Sequence, residues 1–135
     1  MSGLQFMALG GRVVNNYAEG VLVNNTALQR IITVPSDTFW LVSGGFMQNG
    51  DSVTRTCRVN MEDASTNVIL RIADDTVATT DLMALPNNKA DKYNFGGGLI
   101  FAAAGYRFNF YWTAGGASTG GTSKSSLVVL EVDVT

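Results

Sequence analysis

The feature that most constrains the fold of this chain is an apolar–polar alternation of period two that recurs along most of its length. It is clearest from Tyr106 to Thr113, where Tyr106, Phe108, Phe110 and Trp112 take one side and Arg107, Asn109 and Thr113 the other. Successive side chains of a strand point to opposite faces, so this segment reads as a strand that lays four aromatic rings against a core. Tyr111 falls on the opposite face and is the aromatic there expected to be exposed.

Other segments repeat the rhythm. From Ser126 to Thr135 the reading places Val128, Leu130, Val132 and Val134 inward and Glu131 and Asp133 outward. Val53, Cys57, Val59 and Met61 mark a further strand, with Arg55 interrupting its apolar row, and Val68, Leu70 and Ile72 mark another. Leu28 to Val34 alternates with apolar groups on both sides, since Ile31 stands opposite Ile32 in parity. Thr38 to Asn49 is long enough to cross a sheet, and Gly44-Gly45 in its middle marks a bulge or bend. A shorter strand or two is expected between Arg12 and Asn25.

Turn chemistry separates these runs. Pro35-Ser36-Asp37 makes a turn, Asn49-Gly50-Asp51 carries the Asn-Gly hairpin signal, and Glu62 to Thr66 closes a hairpin through Asp63 and Ser65. Asp81 to Leu85 reads as one helical turn or a structured loop, stopped by Pro86. Gly96-Gly97-Gly98 leads into Leu99, Ile100 and Phe101, and the Gly/Ser/Thr-rich stretch from Ala114 to Ser126 reads as a flexible hairpin tip. Seven to nine strands at this spacing, with no room for crossover helices, predict an all-β, antiparallel, jelly-roll-like β-sandwich with one short helical turn at most. Residues 1–16 are expected to form an extended N-terminal arm and residues 17–135 a single β-sandwich domain.

Composition narrows the function. The 135 residues contain no histidine and one cysteine, Cys57. Histidine is the usual general base and the commonest metal ligand, so triads, Cys-His dyads and ordinary zinc sites are excluded, and no enzyme activity or cofactor is expected. Cys57 reads as a small core residue, and a single thiol makes no internal disulfide. The net charge is −2 and the basic residues are scattered, which argues against a nucleic-acid partner. No run approaches the length of a membrane helix, and Met1 to Val14 lacks the pattern of a signal peptide. Charged residues make up 15% of the chain, well below the usual quarter, which suits a surface that packs closely against copies of itself or a large partner and equally a neutral secreted or viral β-domain with polar loops.

Candidate sites each have a plain structural reading beside them. Gly96-Gly97-Gly98 precedes a strand rather than a helix, so a bulge fits better than a phosphate loop. Glu62-Asp63 and Asp74-Asp75 read as solvated loop acids, without the spacing of a calcium loop. Of Trp40, Tyr106, Tyr111 and Trp112, Tyr106 and Trp112 share the apolar parity of their strand and belong to the core, leaving Tyr111 as the aromatic of that strand available to a sugar or a partner.

The run Ile31 to Ser43, with its Val34-Pro35 turn followed by Trp40-Leu41, resembles the opening of the small jelly-roll cement and decoration proteins of tailed-bacteriophage capsids. Val68 to Ala73, Ala84-Leu85-Pro86 and Ala103 to Phe108 fit the same layout, so the resemblance spans Ala27 to Thr135. It implies a structural virion protein on the outer surface of the capsid. Such a protein would bridge major capsid subunits as a dimer or trimer, with the major capsid protein and itself as partners. The arm would then supply the contacts Leu4, Phe6, Met7 and Leu9, and the sheet face Tyr111. Tail and fibre relatives of these proteins make a receptor- or carbohydrate-binding β-sandwich the alternative.

Overall fold

The computed structural model describes residues 11–23, 25–87, 100–116 and 120–134. Among them are nine strands: β1 (Gly11–Leu22), β2 (Leu28–Thr33), β3 (Thr38–Gln48), β4 (Arg55–Glu62), β5 (Val68–Val77), β6 (Leu82–Leu85), β7 (Ile100–Ala102), β8 (Arg107–Trp112) and β9 (Gly121–Asp133). Every pairing is antiparallel. One sheet, here sheet A, has the order β1-β9-β3-β6, with β7 also on β3; the other, sheet B, runs β2-β8-β4-β5. β6 and β7 pair with successive parts of β3, so together they form one edge of sheet A. The chain passes back and forth between the sheets in the jelly-roll succession, as the alternation and turn spacing predict.

The core lies between the sheets. Phe108, Phe110 and Trp112 of β8 are buried, and Tyr106 packs beside them. Trp40 of β3 stacks on Phe108 with ring centroids 6.1 Å apart. Leu127 and Val129 of β9, Met47 of β3, Ile72 of β5 and Leu22 of β1 complete the interior. β3 carries its bulge between Val42 and Gly44, and Gly45 there has φ 147°. A Cβ on Gly45 would stand 2.1 Å from the Ser126 carbonyl oxygen, so only glycine allows β9 so close.

Several expectations are corrected. The parity of β9 is inverted: Leu127, Val129 and Glu131 share the inner face, whereas Val128, Leu130 and Val132 face away from sheet B, and Val134 is exposed. Both faces of this central strand are apolar, so alternation alone had no contrast to read. Asp81 to Leu85 contains a strand, β6, rather than a helical turn, because β3 offers it a free edge. Gly11 to Leu22 is one continuous strand on β9, and the arm expected over residues 1–16 is paired from Gly11 onward. Asp74 and Asp75 lie within β5 and Glu62 ends β4, so these acids are sheet residues and not loop residues.

Neither Asn49-Gly50 nor Ala114 to Ser126 closes a hairpin, because β3 and β9 lie in sheet A whereas β4 and β8 lie in sheet B. Gly121 to Ser126 already belongs to β9. The Asn49-Gly50-Asp51 turn is instead drawn inward by its side chains. Asn49 Nδ2 donates to the carbonyls of Val53 (2.9 Å) and Val77 (2.7 Å), and Gly50 N donates to Ser123 Oγ.

Arg55, which breaks the apolar row of β4, points inward and is fully buried with Asp51, its NH2 2.6 Å from Asp51 Oδ2. Its remaining donors reach the carbonyls of Val23, Thr26 and Thr113. One guanidinium thus ties three inter-sheet connections at one end of the sandwich. Charge-assisted bonds of this kind satisfy a buried cation that would otherwise be prohibitively costly.

Candidate functional site

Register assigns every residue of a sheet to a face, because directly paired residues point the same way. The two outward faces of this sandwich differ sharply in chemistry.

On sheet A the row Val13, Leu130, Leu41, Phe101 crosses β1, β9, β3 and β7. Val132 and Phe39 pair in the next row, and the Phe39 and Phe101 rings lie 5.1 Å apart. Val13 and Phe101 are more than half exposed, at 59% and 53%. Further along the same face Tyr17 aligns with Ser126, Phe46 and Ala84. Among the described residues, charge enters this face toward the far end, where Glu19 pairs with Lys124. The Tyr17 hydroxyl donates to Glu19 Oε1, which raises its pKa above that of a free phenol.

On sheet B the outward rows are polar. One runs Gln29, Tyr111, Arg58, Asp74; the next Ile31, Asn109, Asn60, Arg71; the third Thr33, Arg107, Glu62, Val68. Arg71 Nε donates to Asn60 Oδ1 at 3.0 Å and Arg71 NH1 reaches Asp74 Oδ2 at 3.3 Å. Asn109 Nδ2 donates to Glu62 Oε2 at 3.2 Å. Arg107 Nε lies 2.9 Å from Glu62 Oε1, but the N–H is not aligned with it, so this is an ion contact without a hydrogen bond. Arg58 Nε is placed similarly, 3.4 Å from Asp74 Oδ2. Asn109, 9% exposed, leaves its Oδ1 without a partner. Tyr111 is half-buried in the first of these rows, and Ile31 is exposed in the second.

Two further features lie between the sheets. Glu131, on the inner face, accepts from Trp40 Nε1 at 2.7 Å and from Arg12 Nε and NH2. The indole first and the guanidinium second hold this carboxyl below the usual carboxylate range. At the open side between β1 and β2 a cavity of about 210 Å³ is walled by Ala18, Leu28, Trp112 and Ser125. Arg30 also lines it, donating to Ser125 and to the Asn16 carbonyl and lying 5.6 Å from the Phe110 ring centroid. Burial lowers the Arg30 pKa, and its bonds to β1 and β9 show it bracing the two sheets.

Of the contacts expected from the sequence, Tyr111 is found outward on sheet B, while Leu4, Phe6, Met7 and Leu9 lie outside the described residues, as does Gly96-Gly97-Gly98. Cys57 is buried, and burial pushes its thiol up to about 12. Among the described residues no three His, Cys, Asp or Glu side chains cluster as a metal site would. Sequence reasoning missed both the apolar row on sheet A and the polar company of Tyr111. The first was signalled by the unbroken Leu127-Val128-Val129-Leu130 run, and the second by Arg107 and Asn109 sharing the parity of Tyr111.

No protein-family model and no curated protein matches the chain. Among solved structures it is similar to a chain in the structure of infectious bursal disease virus, Gt strain. That likeness has 7% identity and a TM-score of 0.39, covering 91% of this chain and 33% of the viral one. It is also similar to a CBM4 structure, at 14% identity and a TM-score of 0.37, covering 90% of this chain and 78% of that one. The chain thus spans about a third of the length of the viral chain it resembles.

Proposed function

We propose that this chain is a structural assembly protein that lays the outer face of sheet A against a protein neighbour. The observation that carries the reading is the apolar row Val13, Leu130, Leu41, Phe101 with Phe39 and Val132 beside it. A central strand that is apolar on both faces is the pattern of a sheet covered on both sides. Val13 and Phe101 are the row's exposed members, at 59% and 53%, while Leu41 and Val132 between them are buried. The finer form of the reading follows the sequence resemblance: a cement or decoration protein on the outside of a phage head, bridging major capsid subunits. The rigid two-sheet body and the low charge suit that task, and residues 1–10 would add Leu4, Phe6, Met7 and Leu9 to the contact. The role is non-catalytic, supported by the lack of histidine and by the burial of the sole thiol.

Quantitative mass spectrometry of purified particles, scaled to the major shell protein, tests the reading. Hundreds of copies per particle are expected. A handful would move the protein to a tail or fibre, and absence from particles would overturn the virion assignment.

A further inference from the structure

β1 and β2 are end strands of their sheets, and the cavity of about 210 Å³ opens between them, away from the outer face of sheet A that assembly would use. We propose that this cavity is a binding site for a small aromatic or branched aliphatic monocarboxylic acid, whose carboxylate meets Arg30 and whose apolar body lies against Trp112 and Leu28.

Three observations fix this occupant. The first is charge. Arg12, Arg55, Arg58, Arg71 and Arg107 each stand within 3.4 Å of a carboxylate oxygen, whereas Arg30 has no acid partner among the described residues. Its bonds go to neutral oxygens, those of Ser125 and the Asn16 carbonyl, and burial, with no acid to oppose it, lowers its pKa. These bonds leave Nε and one NH2 proton without an acceptor among the described residues, the pair of donors that a carboxylate engages. A half-buried cation with no counter-charge is costly, and a bound anion offsets that cost. One guanidinium balances one negative charge, which favours a monoanion over a phosphate. The second observation is a further donor. Ser125 lines the cavity at 2% exposure; its Oγ accepts from Arg30 NH1 at 2.7 Å, while its own proton has no acceptor among the described residues. Glu19, the acid at the rim, belongs to the outward parity of β1, where it accepts from Tyr17 and pairs across with Lys124. The third observation is shape. Sheet A contributes only small side chains to the walls, Ala18, Gly20 and Ser125, opposite Leu28 and Trp112 of sheet B, and this mismatch leaves the space unfilled. Trp112 is a fixed wall, since its indole N–H donates to the Gln48 carbonyl. An apolar cavity of about 150 Å³ admits a benzene ring, so about 210 Å³ admits one ring or branched chain with a carboxylate arm.

The full-length protein, in a buffer free of carboxylates, is titrated with benzoate, phenylacetate and isovalerate by isothermal titration calorimetry, and its backbone amide NMR shifts are followed in parallel. At least one acid is expected to bind with a millimolar or tighter dissociation constant and to shift the amides of Ala18, Leu28 and Ser125. Its neutral counterpart (benzamide, phenylacetamide or isovaleramide) should bind at least about tenfold more weakly, because it lacks the charge that Arg30 balances. Arg30→Gln should weaken the acid by a similar factor, and Val13→Ser, on the outer face of sheet A, should leave binding unchanged. Failure of all three acids to bind at millimolar concentration would overturn the proposal. Equal binding of an acid and its amide would do the same without recourse to any variant. So would undiminished binding to folded Arg30→Gln protein, or amide shifts confined to residues away from the cavity.

Discussion

Removing the Asp51 carboxylate would leave the Arg55 guanidinium buried with no counter-charge, because both side chains are fully inaccessible. Asp51→Ala is expected to cost about 3–5 kcal/mol, measured as a fall in the urea midpoint at unchanged slope. Glu131 behaves differently because it titrates. Its pKa in the folded protein lies below the ordinary 4.5, chiefly through the Trp40 indole and then Arg12. A depressed carboxyl stabilises the fold above its unfolded pKa, and that contribution is lost as the pH falls through the folded value. Glu131→Gln should therefore flatten the decline of melting temperature below pH 4.5, and an unchanged acid limb would assign acid lability to another group. Cys57 has the opposite sign: its raised pKa keeps the thiol neutral, so stability should fall as the pH rises from 9.0 towards about 12. At neutral pH Ellman's reagent is expected to label Cys57 only after denaturant is added, since the thiol is inaccessible in the folded protein. Residue type foretold that Cys57 is buried, but not that Arg55 and Glu131 are. An inward charge is legible only once its partners are known, and Val23, Thr26 and Thr113 lie far from Arg55 along the chain.

Among elements, the connection between β3 and β4 is held against β9 by main-chain contact. A Cβ added to Gly50 would stand 1.9 Å from the Thr122 carbonyl oxygen, so the two backbones must separate to admit it. Gly50→Ala is expected to destabilise by about 1–3 kcal/mol or more, whereas Gly116→Ala, with nothing within 4 Å, should stay within about 0.5 kcal/mol of the parent in the same unfolding assay. Strands with one polar face, such as β8, were legible in position and facing from alternation. β9 was legible only from Ser126 onward, its first residues from Gly121 being read as a loop, and its facing was not, because its two faces are equally apolar between Leu127 and Leu130. β6 was not legible as a strand at all: four residues carry little periodicity, and its conformation follows from the edge of β3 that it pairs with. The Asn-Gly turn misled for a related reason. Local turn chemistry reports that the chain reverses, while the sheet that the next strand joins depends on the buried side chains of Asn49 and Asp51.

At the scale of the whole molecule, the apolar outer face of sheet A predicts where assembly is sensitive to substitution. Val13→Asp and Phe101→Ser place polar groups in the exposed part of the apolar row, where neither side chain supports the inner core. Both should leave the melting temperature nearly unchanged while lowering the copies retained on purified particles, measured by quantitative mass spectrometry. Full retention by the double variant would show that sheet A is not the docking face. The sequence by itself determined the period-two rhythm, the aromatic wall of β8, the bulge at Gly44-Gly45 and the antiparallel class, since each is written in residues close together in the chain. Only the tertiary structure decided which strands share a sheet, which face of β9 meets the core, and that Tyr111 lies between Gln29 and Arg58. Those outcomes rest on pairings between residues far apart in the chain, as when Arg12 meets Glu131, 119 positions away, across β1 and β9. Local propensity sets the shape of each strand, but the register that joins distant strands is chosen by the burial and hydrogen bonding of the assembled sandwich.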